Sequence, residues 1–219
     1  MRRSWRRSLV FAYAMACGAA GAQNAAVTVN IDANANRHLI SPNIYGVAFG
    51  NSTTLTDLNA PLNRNGGNST SRYNWQFNAD NRGQDWYFES LGDASSSAGE
   101  RGDTFITMSK SVGAQSMITV PMIDWVAKLG ANRSKLSSFS VGKYGAQTGT
   151  DWQWYPDAGN GVQQSTGQNI TWNDPNDANT PNSVALQQAW VQHIVSQFGP
   201  ASSGGLKYYL LDNEHSIWH

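Results

Sequence analysis

Three short, nearly continuous apolar runs constrain the fold most: residues 44–49, 116–120 and 206–211. A strand without polar alternation is covered on both faces, the pattern of a parallel sheet. Helical patterns stand between the runs. Asp103 is the expected cap of a helix through Phe105, Ile106 and Met108 that closes near Gly113. In residues 183–198, Leu186, Trp190, Ile194 and Phe198 recur every fourth position with Val191 and Val195 beside them, and Gly199-Pro200 supplies the stop. Trp190 and His193 lie on or beside that stripe, where packing is their expected role. Buried strands alternating with amphipathic helices indicate an α/β fold with a mainly parallel sheet.

One stretch resists this plan. Between Asp124 and Asn182 no strong periodicity appears, only Trp, Asn, Gly, Ser and Asp-Pro. A loop that long is either functional or disordered. Trp125, Trp152, Trp154, Tyr155 and Trp172 argue for order, since disordered segments are poor in aromatics. In α/β barrels such excursions follow strands and build the active-site face.

The N-terminus carries a different signal. Arg2, Arg3, Arg6 and Arg7 precede an apolar run, residues 9–16, and small residues ending in Ala20-Gly21-Ala22. These are the three parts of a secretory signal peptide, so residues 1–22 are expected to be removed and the chain secreted, to the periplasm or beyond. Lipoprotein processing at Cys17 is disfavoured because Ala14-Met15-Ala16 lacks the Leu of a lipobox. Cleavage takes the only Cys and four of the 15 basic groups, leaving an acidic chain without disulfides. Charged residues make up 14% of the 219, and no basic stretch follows the first seven, which argues against a nucleic-acid partner. No apolar run approaches the ~20 residues that span a bilayer, so no membrane anchor is expected after cleavage. Val27, Val29 and Ile31 alternate with Thr28 and Asn30, an expected half-buried strand ending in the turn-rich residues 32–36.

Chemistry narrows to a few residues. Glu100, in Gly99-Glu100-Arg101-Gly102, reads as a solvated turn, and Glu89, after Trp86-Tyr87-Phe88, as the exposed side of its segment. Glu214 differs: it follows the strongest strand directly, in Leu210-Leu211-Asp212-Asn213-Glu214. Carboxyls at the C-terminal ends of barrel strands are catalytic positions, and an Asn beside such a Glu suits a sugar, the amide holding a hydroxyl while the acid protonates the leaving oxygen. The alternative is a strand-end carboxylate that caps the next helix. The sequence has no C-x-x-C, H-E-x-x-H, G-x-x-x-x-G-K-[ST] or G-x-S-x-G. His38, His193, His215 and His219 have no zinc-ligand spacing, so no metal ligand is assigned. Residues 173–179 match a calcium loop only in Asp/Asn content and lack its Gly and terminal Glu, which leaves a structural calcium unsupported and turn formation as the expected role. No cofactor is required.

Ordered blocks run from about Ile40 to the end: Ile40-Ser41-Pro42-Asn43-Ile44-Tyr45-Gly46, Asn63-Arg64-Asn65-Gly66-Gly67-Asn68, Tyr73-Asn74-Trp75 and Asp85-Trp86. Further on come Ile118-Thr119-Val120-Pro121-Met122, Asp124-Trp125-Val126-Ala127-Lys128, Asn173-Asp174-Pro175-Asn176-Asp177 and Leu211-Asp212-Asn213-Glu214. Together they resemble family 44 of the glycoside hydrolases, endo-acting β-glucanases and xyloglucanases, some with mannanase activity.

The resemblance implies a glycosidase that cleaves internal β-1,4 bonds of plant cell-wall β-glucans such as cellulose or xyloglucan. Residues 40–219 then form the first half of a (β/α)8 TIM-type barrel, ending after strand four. Residues 23–39 give the N-terminal strand of a β-sandwich whose other strands lie in an absent C-terminus. Glu214 becomes the acid/base, Asn213 its neighbouring substrate contact, and Arg64 the arginine that bonds the nucleophilic carboxylate. Gly66 and Gly67 let the backbone approach substrate. Asn68, Trp75, Trp86, Trp125, Trp152, Trp154 and Trp172 are the further substrate contacts. Two positions depart from the family pattern: Asn65 replaces a bulky apolar residue, and His215 replaces a proline. A retaining glycosidase needs two carboxyls ~5–5.5 Å apart. The family's second glutamate lies near strand seven, and Asp212 stands too close to Glu214 to replace it. A half barrel leaves a sheet flank unpaired, so self-association is expected. Two other classes stay open, a non-catalytic glycan-binding protein with tryptophan platforms and a structural surface protein. The Asn213-Glu214 pair distinguishes the enzyme from both.

Overall fold

The computed structural model describes residues 26–214, which fall into two units divided after Leu39. The signal-peptide reading and the readings placed on His215, Trp218 and His219 lie outside the described residues. Among the described residues of the first unit no strand forms, and Val27, Val29 and Ile31 are exposed. Alternation makes a strand only against a partner edge, and residues 26–39 contain none. The expected turn is present, with the Asn34 N–H on Asp32 Oδ1 at 2.9 Å.

The second unit opens with a 3-10 turn, Pro42–Tyr45, then strand Val47–Ala48 (β1) and helix Ser52–Asp57 (α1). The six-residue strand expected at 44–49 is thus cut to two. Pro42 presets the turn and Ser41 Oγ accepts the Asn43 N–H, which leaves Ile44 and Tyr45 exposed. Leu62–Asn65 (β2), Asn68–Ser71 (α2), Ala79–Asn81 (β3) and Glu89–Gly92 (β4) lead to helix Glu100–Ser111 (α3) and strand Gln115–Val120 (β5). Next come Trp125–Ala127 (β6), Leu136–Ser137 (β7), Val141–Tyr144 (α4), Thr150–Asp151 (β8), Tyr155–Gly159 (β9) and Asn179–Pro181 (β10). Helix Val184–Phe198 (α5) and strand Tyr208–Leu211 (β11) follow.

The predicted parallel sheet is present, with order β1-β2-β5-β11 and every pair parallel. β5 runs through its middle with Ile118 and Thr119 fully buried. Phe105 and Ile106 of α3 and Trp190 and Ile194 of α5 pack with Ile118, Val120, Tyr73 and Leu206. Trp190 meets Tyr73 edge-on at 5.3 Å, a core role as expected. α5 starts where predicted, with Ser183 Oγ accepting the Leu186 N–H at 3.1 Å, and ends at Gly199 with φ +81°. α3 instead starts one turn earlier than its expected cap. Gly99 occupies the N-cap and Asp103 lies inside the first turn, hydrogen-bonded at 2.7 Å to His193 of α5. Glu100 is correspondingly the first helical residue rather than a turn, its carboxylate accepting from Thr104 Oγ1.

The aperiodic excursion is ordered. Three small antiparallel sheets stitch it, β6 with β10, β7 with β4 and β3, and β8 with β9. Within it Phe139, Tyr144 and Ile170 form a separate small core with Phe88 against them. Strands of two to five residues are too short to print a period on the sequence. The Asp/Asn-rich run does make a turn, Pro175–Asp177, with Asp174 Oδ1 accepting the Asn176 N–H at 2.9 Å. Among the described residues no helix is long and apolar enough to cross a membrane.

Candidate active site

Parallel strands bring their C-terminal ends to one edge of the sheet. Here β2 runs out into Gly66-Gly67 and β11 into Asp212-Asn213-Glu214, with β5 between them. Asn213 is 3% exposed and links the two ends. Its Oδ1 accepts from Arg64 Nη2 and from the Gly67 N–H at 2.9 Å, while its Nδ2 donates to Glu214 Oε2 at 3.3 Å. Arg64, Gly67, Asn213 and Glu214 thus meet, as the sequence reading grouped them. Glu214 is exposed and its neighbouring amide is buried. Its carboxyl thus combines solvent exposure with a hydrogen bond from the buried amide.

Each neighbour has a distinct reason for its identity. The Arg64 guanidinium stands where a Gly66 side chain would begin, since a Cβ there would clash with its Cζ. Glycine at 66 therefore leaves room for the arginine. Gly67 has φ +91° and open space beside it, so backbone conformation is what it supplies. Asn65 is buried, and its carbonyl accepts from Thr119 Oγ1 at 2.8 Å. Asp212, also buried, has φ +62°. Its N–H donates to the Val120 carbonyl at 2.9 Å, and its carboxylate accepts the N–H groups of Met122 and Asn213 at 2.5 and 2.6 Å. The sequence reading missed this role because nothing local announces a carboxylate that braces two strand ends.

The remaining expected contacts separate. Asn68 Nδ2 donates to Asp85 Oδ2 on the turn Gly83–Trp86, whose Trp86 is 36% exposed. Trp75 faces α5, its Nε1 donating to the Leu186 carbonyl at 3.0 Å and its ring 5.6 Å from His193. It is a packing residue, not a platform. Trp125 is half-buried in β6 opposite Pro181. Trp152 and Trp154, at the β8–β9 turn, are 76% and 63% exposed, and Trp172 is 62% exposed with Tyr144 against its edge at 5.1 Å.

Glu89 reverses its expected exposure and is fully buried at the start of β4. Burial first, and then the Asp151 carboxyl facing it, push its pKa up to about 7, while Lys135 at 3.4 Å pulls the other way. The excursion supplies both neighbours, which no pattern around residue 89 reveals. Beside β11, Val120, Met122, Val184, Val191 and Leu211 line an open groove of about 720 Å³. Among the described residues no group of three or more His, Cys, Asp or Glu is placed to hold a metal ion.

Comparison with known proteins follows this geometry. The chain is similar to the crystal structure of CelM2, a bifunctional glucanase-xylanase protein from a metagenome library, at 68% identity and a TM-score of 0.81. That match covers 83% of this chain and 35% of CelM2. A xyloglucanase of Paenibacillus polymyxa matches at 26% identity and a TM-score of 0.52, over 82% of this chain and 33% of its own. Beta-mannanase/endoglucanase A of Caldicellulosiruptor saccharolyticus is 26% identical over 203 residues, 88% of this chain and 14% of that protein. This chain therefore spans about a third or less of each of these relatives. Residues 79–219 match the family model described as glycoside hydrolase family 44. With that match over more than half its length, and with sheet and strand-end residues arranged as above, the chain belongs to glycoside hydrolase family 44.

Proposed function

We propose that this chain is the N-terminal part of a secreted endo-β-glycanase that cleaves internal β-1,4 bonds of plant cell-wall β-glucans such as cellulose or xyloglucan. Residues 1–22 direct export. The four parallel strands are the first half of a (β/α)8 barrel, and residues 23–39 belong to a β-sandwich completed by sequence outside this chain. The observation that carries the reading is Glu214 at the C-terminal end of β11, tied through Asn213 to Arg64 of β2. The printed descriptions of CelM2 and the Paenibacillus protein, a glucanase-xylanase and a xyloglucanase, support the substrate class.

Glu214 protonates the leaving glycosidic oxygen, and Asn213 holds its carboxyl in line through the amide N–H. The second carboxyl, the nucleophile of a retaining mechanism, comes from the remainder of the protein and takes its place near Arg64. No cofactor enters. Trp152, Trp154 and Trp172 offer apolar ring faces to the pyranose units. Their exposure also favours a second reading, a glycan-binding protein without hydrolysis.

One experiment separates the two. Residues 23–219 are joined to the C-terminal part of CelM2 and compared with the Glu214→Gln form. Turnover of unactivated β-glucan should fall about 10²–10⁴-fold with little change in binding, and substrates with activated leaving groups should fall less. Near-normal turnover on β-glucan would falsify the assignment and leave Glu214 a strand-end cap.

A further inference from the structure

We propose that Asp212 is the positioning residue of the site: its carboxylate, not its backbone alone, sets where Asn213 and Glu214 stand. This rests on the reading of Glu214 as the acid/base. After Leu211 the strand pairing with β5 ends, yet the Asp212 N–H still reaches the Val120 carbonyl at 2.9 Å. There the chain turns left-handed, with φ +62° at Asp212 and +46° at Glu214. For a residue with a Cβ this conformation is strained, and Asp tolerates it through local hydrogen bonds. Asp212 makes one such bond, at 2.6 Å to the next residue's N–H, and a second, long-range one at 2.5 Å to that of Met122.

The second bond ties the strand end that carries the acid to the segment leaving β5. Three strand ends are thereby connected: β2 through Arg64 and Gly67, β11 through Asn213, and β5 through Met122. Asp212 is 4% exposed, so it meets no polymer itself. It acts through Asn213, whose amide fixes the Glu214 carboxyl.

Two substitutions separate carboxylate from backbone in the enzyme completed with the CelM2 C-terminal part. Asp212→Gly supplies the left-handed backbone without strain and removes both acceptors. Asp212→Asn keeps the shape and one acceptor but turns an amide N–H toward the other N–H donor. A displaced acid loses rate rather than binding, and 1 Å of misplacement is worth up to about 10²-fold. Asp212→Gly should therefore lower kcat on unactivated β-glucan about 10- to 100-fold at unchanged KM, with activated substrates spared, and Asp212→Asn should retain part of the rate. Equal kcat in Asp212→Gly and the parent overturns the proposal. So does an equal loss on both substrates, which marks general damage. Glu214→Gln measured alongside tells the two ideas apart: if it is silent, the acid/base reading fails and this one with it. If it is impaired while Asp212→Gly is normal, only the role of Asp212 fails.

Discussion

Replacing Glu89 by Gln separates the effect of charge from that of shape at the most perturbed carboxyl in the second unit. Glu89 is fully buried, faces Asp151, and titrates at about 7 against 4.5 for an ordinary glutamate. Between those two values the unfolded chain has released its proton and the folded chain keeps it, so rising pH favours unfolding. The stabilisation is fully present below 4.5 and is lost as pH climbs through 7. At ~1.4 kcal/mol per pH step, that span removes up to about 3 kcal/mol. For a chain of this length it lowers Tm by roughly 6–12 °C. Glutamine has the same shape and no charge to bury. Tm of parent and Glu89→Gln chains, measured by calorimetry at pH 4.5, 6 and 8, should nearly coincide at the acid end. At pH 8 the variant should melt higher. A variant that melts lower than the parent at pH 8, or parallel pH curves for the two, would refute the reasoning and return Lys135 as a full counter-charge.

Gly66→Ala should drive the Arg64 guanidinium off Asn213, because a Cβ and the guanidinium compete for one place. The lost charged hydrogen bond is worth about 1.5–3 kcal/mol by urea titration, and an unchanged midpoint would show that Arg64 has another seat. Ala at Trp152, Trp154 or Trp172 should weaken retention on insoluble β-glucan several-fold with Tm within about 2 °C, since exposed rings hold little of the core. Loss of Tm with normal retention reassigns that ring to packing. Residues 23–219 alone should associate in sedimentation experiments through the open edge of β11 and the apolar groove beside it, and a monodisperse monomer removes that expectation.

What the sequence revealed depended on where the cause of each feature lay. β5 and α5 were legible because their burial is written locally, one as an unbroken apolar run and the other as a four-residue stripe with Ser183 and Gly199 at its ends. Residues 44–49 looked equally apolar, but Ser41-Pro42 wound Ile44 and Tyr45 into a turn, and those two and Phe49 are exposed. Glu214 was singled out from its place after a strand. Arg64 and Gly67, 149 and 146 residues from Asn213, were grouped with it only through the family resemblance, since no local pattern links them. Glu89 was misread for the same reason, as its burial comes from Lys135 and Asp151 folding back over it. Trp75 and Trp152 share a residue type, and only three-dimensional packing separates a ring donating to α5 from one standing in solvent.

The excursion between β5 and α5 is closed by ladders of two or three residue pairs, in sheets separate from the four-stranded one. Its opening is therefore a local event: those few bonds can part while β5 and its neighbours stay paired. Amides of β8 and β9 should exchange with solvent by that route, and those of β5 only by global unfolding. Trp152 and Trp154 ride on the part that opens, so the surface they form can give way and re-form without disturbing the strand ends that hold Glu214.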